Sequence, residues 1–89
     1  MIARRVTVRG RVQGVGFRWH AQRRAQQLGV AGWVRNTSSG SVKAHVEGDR
    51  ESVELLLDWL AVGPPSAHVS ELEEVSVEPI EAASFQVLS

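Results

Sequence analysis

Val6 and Val8 alternate with Arg5, Thr7 and Arg9, the two-residue period of a strand with one buried face, and the alternation stops where Gly10, Gly14 and Gly16 begin. A strand therefore runs into a glycine-bearing loop. Beyond the loop, Phe17, Ala21, Ala25 and Leu28 recur at helical spacing, Arg23, Arg24, Gln26 and Gln27 fill the other face, and Gly29 supplies a C-terminal stop. Residues 30–36 and 41–47 read as two strands joined by a turn at Thr37-Ser38-Ser39-Gly40. In the second of them Val42, Ala44 and Val46 point inward, and Lys43, His45 and Glu47 point outward. Asp49 caps a second helix with the stripe Val53, Leu56, Leu57 and Leu60, which Gly63-Pro64-Pro65 ends. Residues 69–78 are strand-like, but Leu72 falls out of step with Val75 and Val77, which predicts a bulge near Glu73-Glu74 before Pro79 closes the strand. Phe85 and Val87 mark one last short strand.

The order is β-α-β-β-α-β with an extra C-terminal strand. Two helices of one-sided polarity then cover one face of an antiparallel sheet, an α/β (α+β) sandwich of the ferredoxin-like class. At 89 residues the chain has room for a single domain, residues 1–89. Its 43% hydrophobic and 22% charged residues fit a folded globular chain and exclude the disordered regime. With no cysteine, disulfides, thiolate metal sites and cysteine nucleophiles are excluded. The charged start, Met1-Ile2-Ala3-Arg4-Arg5, is unlike a secretory signal, and no apolar run approaches the ~20 residues of a membrane span. The expectation is a cytoplasmic monomer without membrane association.

Formal net charge is zero, but its distribution is uneven. Arg4, Arg5, Arg9, Arg11, Arg18, Arg23, Arg24 and Arg35 all precede residue 36, whereas every carboxylate lies at or beyond Glu47. An anion would be met by the N-terminal half. There the stretch Gly10-Arg11-Val12-Gln13-Gly14-Val15-Gly16-Phe17-Arg18 joins a strand to a helix start. Unpaired amides, the helix dipole and glycines that let several N–H groups converge can together cradle a phosphoryl group. Arg18 in the first helical turn opposes the macrodipole unless an anion lies beside it. Pattern alone leaves this reading level with a plain tight turn and a solvated Arg18. It also leaves Asn36 as either a turn residue or a partner of Arg18.

Gly10 to Arg18 resembles the first signature of the acylphosphatase family, G-x-V-Q-G-V-x-F-R, at each fixed position. The second signature is matched by Gly32-Trp33-Val34-Arg35-Asn36, then Gly40, Val42 and Gly48 at the family's spacing. Leu28-Gly29 and the run from Gly63 to Val69 are also similar. The departures are mild: Ser41 stands where Thr is common, and Trp19-His20 is a bulky pair after the arginine.

The resemblance implies hydrolysis of a carboxyl-phosphate anhydride, with a small-molecule acyl phosphate as substrate, no cofactor and no metal. Arg18 and the backbone amides of Gln13, Gly14, Val15, Gly16 and Phe17 would bind the phosphoryl oxygens, and Asn36 would orient the attacking water. No local ligand pattern links His20, His45 and His68, which read as surface residues. Trp19, Trp33 and Trp59 read as packing residues. The sandwich is shared with RNA-binding domains, but Lys43, His45 and Glu47 put no aromatic on the third strand's outer face, so no nucleic-acid partner is expected. The related domain of hydrogenase-maturation carbamoyltransferases has Pro where this chain has Trp19, and continues into cysteine-rich segments.

Overall fold

A computed structural model describes residues 1–88. The elements are β1 (Ile2–Arg11), α1 (Phe17–Leu28), β2 (Ala31–Asn36), β3 (Val42–Gly48), α2 (Arg50–Leu60), β4 (His68–Val77) and β5 (Phe85–Val87). They form a five-stranded sheet in the order β4-β1-β3-β2-β5 with both helices on one face. The ferredoxin-like sandwich is present as the periodicities predict. Its first four strands pair antiparallel, whereas β5 joins the edge of β2 in parallel, so the sheet is mixed. The parallel direction follows from the route of the chain. Residues 78–84 carry it from one edge strand to the other, and it then enters β5 alongside β2.

Register places Val6 opposite Ala44 and Val8 opposite Val42, with Val34 opposite Ala44 on the other side. These small apolar side chains make a smooth floor for the helices. Phe17, Ala21 and Ala25 of α1 and the whole α2 stripe of Val53, Leu56, Leu57 and Leu60 are buried against it. Burial of each larger aliphatic or aromatic side chain contributes about 1.5–3 kcal/mol. Asp49 caps α2 as predicted, accepting from the Ser52 amide at 3.0 Å and the Ser52 hydroxyl at 2.8 Å.

The bulge lies elsewhere than Glu73-Glu74. Arg9 pairs with Glu71 and Gly10 with Val69, so Ser70 is the extra residue. Leu72 is out of step with Val75 because the two lie on opposite faces: Leu72 sits opposite core residue Val8, and Val75 opposite Arg5. The bulge restores Val69 to the core side, where both it and Leu72 pack. Gly10 makes this close pairing possible, because a Cβ there would lie 2.1 Å from the His68 carbonyl oxygen.

His45 and Glu47 correct a second expectation. They lie on the face away from the helices, as the alternation requires, yet they are 0% and 1% exposed. The crossing segment covers them: the amides of Ile80 and Ala82 each donate to the Glu47 carboxylate at 2.8 Å. Trp33, on the same face, stacks against His45 with ring centroids 6.3 Å apart. Arg5 Nε donates to His45 Nδ1 at 2.7 Å, so that nitrogen carries no proton, and Nε2–H is left to donate to Glu47 at 2.6 Å. Burial pushes the Glu47 carboxyl up, but donation from His45, Ile80 and Ala82 outweighs it and holds the group below its ordinary value of 4.5.

Candidate active site

Helix α1 begins without a side-chain cap. Its N-cap is Gly16 at φ 77°, preceded by Gly14 at φ 75°, both in the left-handed region that disfavours side chains. No acidic residue sits in the first turn. Among the described residues, the amides of Gly14, Val15, Gly16 and Phe17 find no acceptor. The Val15 carbonyl accepts from Ser66 Oγ at 3.0 Å, which turns the Gly16 amide of the same planar peptide the opposite way. Donors at a positive helix end are thus left free for an anion.

The hairpin does reach this edge. Gln13 Nε2 donates at 2.8 Å to both the Thr37 and Ser41 carbonyls, tying the loop to the β2–β3 turn. This strut brings Asn36 to the start of α1. A cleft of about 350 Å³ results, lined by Gly14, Gly16, Phe17, Arg18 and Asn36 together with Val12, Trp19, Gln22 and Val87. The Gln13 side chain is committed to the hairpin and does not line the cleft, so Gln13 and Val15 can face an anion only through their backbone amides.

Among the described residues, Arg18 is the one ionisable side chain lining the cleft. Its Nη1 reaches the Leu88 carbonyl at 3.3 Å, which leaves the rest of its donor fork uncommitted among the described residues. Asn36 Oδ1 is buried and has no hydrogen-bond partner among the described residues. An orphaned acceptor of this kind costs about 1–3 kcal/mol. Among the described residues, the cleft therefore brings together convergent donors for an anion, the Arg18 cation and the Asn36 side chain, with no Asp or Glu in its lining. It is equipped to bind a tetrahedral oxyanion and to hold a proton donor such as water beside it.

Trp19 is not the packing residue expected. It is 53% exposed and lines the cleft beside Arg18. Trp59 does pack, with its ring centroid 5.6 Å from that of Phe17. Trp33 lies on the open sheet face between the Arg5 and Arg35 guanidinium groups, 5.2 and 5.6 Å from its ring centroid. Gln22 and Val87 also line the cleft and were not anticipated. Gln22 follows Arg18 by one helical turn, a spacing that could have marked it, but nothing local marks Val87.

A family model described as Acylphosphatase matches residues 4–87. The chain belongs to the acylphosphatase family. It is 49% identical over 88 residues to an acylphosphatase of Azoarcus sp. (strain BH72), covering 99% of this chain and 90% of that one. The crystal structure of acylphosphatase from Bacillus subtilis superposes with a TM-score of 0.95 at 31% identity, covering both chains completely. Full-length HypF in its phosphate- and nucleotide-bound form contains a similar unit, with a TM-score of 0.91 and 34% identity. The match covers 99% of this chain but only 12% of that one. This chain is an enzyme of the acylphosphatase family, and its glycine loop, Arg18 and Asn36 occupy one cleft.

Proposed function

We propose that this member of the acylphosphatase family hydrolyses acyl phosphates to carboxylate and inorganic phosphate by direct attack of water. The phosphoryl group sits between the Arg18 guanidinium and the amides of the Gly14 to Phe17 loop. Asn36 orients the attacking water through its side-chain amide. The P–O bond to the carboxylate breaks as the bond to water forms, and the water's proton leaves with the products. A carboxylate departs without a general acid. A loose phosphoryl-transfer transition state asks for position and charge stabilisation more than for a strong base. The reaction therefore needs neither a covalent intermediate nor a metal or other cofactor.

The observation that carries this reading is the meeting of Arg18, Asn36 and the free amides of the glycine loop in one cleft. Its test is hydrolysis of benzoyl phosphate in ¹⁸O water. Label appearing in phosphate supports direct attack at phosphorus. Label appearing in benzoate refutes it.

We further propose a single domain acting as a monomer in the cytoplasm on a small substrate, with no nucleic-acid or membrane partner. The edge strand β4 carries Glu71, Glu73 and Glu74, which discourage pairing between copies. Among the described residues, no helix is long and apolar enough to cross a membrane. A sedimentation mass above that of one chain would overturn the monomer.

A further inference from the structure

The candidate cleft is larger than its phosphoryl group requires. That group displaces a few waters at ~30 Å³ each, and the cleft holds about 350 Å³. Besides the glycine loop, Arg18 and Asn36, its lining includes Trp19, Gln22 and Val87. Trp19 and Val87 are among the large apolar side chains left exposed, at 53% and 40%.

Core packing does not account for Trp19. Helix α1 meets the core through Phe17, Ala21 and Ala25, so the indole one residue beyond Arg18 is free of that duty. It does have neighbours on the helix. The Arg23 guanidinium, one helical turn on, lies 4.8 Å from the ring centroid, and His20 approaches edge-on at 4.9 Å. Gln22 donates to the Phe85 carbonyl at 3.1 Å. The result is an aromatic wall adjoining an oxyanion cradle.

We infer that Trp19 forms a subsite for the acyl half of the substrate and selects aromatic acyl phosphates over small aliphatic ones. The inference rests on the acyl phosphate reading above. A flat aromatic acyl group can stack on the indole or meet it edge to face. An acetyl group is too small to cover the ring. Trp19 thus acts on specificity, while Arg18 and Asn36 act on the phosphoryl group and the water.

The test compares benzoyl phosphate with acetyl phosphate in the wild type, Trp19→Ala and Trp19→Phe. The wild type should favour benzoyl phosphate in kcat/KM. Trp19→Ala should reduce that preference roughly five- to tenfold, chiefly through KM, and Trp19→Phe should restore most of it. An equal fractional loss with both substrates would overturn the inference, because a residue that merely positions Arg18 affects both alike. Calorimetric binding of the non-hydrolysable benzoylphosphonate and acetylphosphonate separates this inference from the functional one. If the wild type hydrolyses neither acyl phosphate yet shows a Trp19-dependent preference for benzoylphosphonate, the functional reading falls and the aromatic subsite stands. If hydrolysis proceeds and the two phosphonate affinities keep their ratio in Trp19→Ala, the subsite falls and the functional reading stands.

Discussion

Replacing Glu47 with Gln keeps its shape and removes its charge, which isolates the carboxylate's share in holding the chain over the open sheet face. Glu47 Oε1 accepts from His45 Nε2 at 2.6 Å and from the Ile80 amide at 2.8 Å, while Oε2 accepts from the Ala82 amide at 2.8 Å. A glutamine carbonyl can keep the first two bonds as neutral ones, worth about 1 kcal/mol less apiece than bonds to a charged acceptor. Its NH₂ group then faces the Ala82 amide, donor against donor, and leaves a buried N–H unpaired at about 1–3 kcal/mol. The neutral side chain is less costly to bury, which returns part of the loss. The net expectation is destabilisation of about 2–4 kcal/mol, or roughly 10–25 °C in Tm for a domain of this size. Urea titrations of wild type and Glu47→Gln across acidic pH give the measurement. Because the folded carboxyl is held below 4.5, the unfolded chain binds the proton more readily. The Glu47 contribution is therefore complete above the unfolded value and is lost as pH falls through the folded one. Wild-type stability should decline more steeply than that of the variant as pH drops below about 4.5. Equal stability at neutral pH together with parallel acid profiles would refute a charged, triply bonded Glu47.

Other substitutions probe the cleft and the frame around it. Arg18→Ala should lower kcat/KM for benzoyl phosphate about 10²-fold or more, and Arg18→Lys should recover little, because one ammonium cannot replace a planar two-oxygen fork; near-normal turnover in steady-state assays removes Arg18 from the mechanism. Asn36→Ala should cut the rate on a similar scale while leaving the urea midpoint unchanged or higher, since it deletes a buried acceptor that has no partner among the described residues; a variant both active and less stable would assign Asn36 to structure. Benzoyl phosphate hydrolysis should persist after exhaustive chelation, and activity restored only by added metal would contradict direct attack assisted by Arg18. Asp49→Ala removes both bonds to Ser52 and should lower the midpoint of denaturant titrations without altering kcat/KM.

The parts of this molecule legible in the sequence are those whose physics is local. Valine alternation in β1 and β3 and the leucine stripe of α2 report burial on a single covered face, and each element forms where its period indicates. The glycine loop and Arg18 are legible for the same reason: residues 10–18 are contiguous, and a helix start has unpaired amides wherever it occurs. Asn36 is different. Its place opposite Arg18 depends on Gln13 reaching two hairpin carbonyls 24 and 28 residues away, and that contact has no local trace, so only the resemblance to the family's second signature pointed to it. The misjudged positions share this cause. Alternation assigns His45 and Glu47 correctly to the outer face, but whether that face is wet depends on a segment that bonds Glu47 from 33 and 35 residues away. The bulge at Ser70 is hidden because Leu72 and Val75 are both apolar on opposite faces, so their phase difference mimics an inserted residue. Trp19 inverts the usual inference from hydrophobicity. An aromatic on an amphipathic helix suggests a core, and here the core positions are taken by Phe17, Ala21 and Ala25, one of them aromatic and two small. The surplus indole is left on the surface beside Arg18 in the cleft. An apolar residue in excess of what the core can accommodate is the sign by which such a wall can be sought in other chains of this fold.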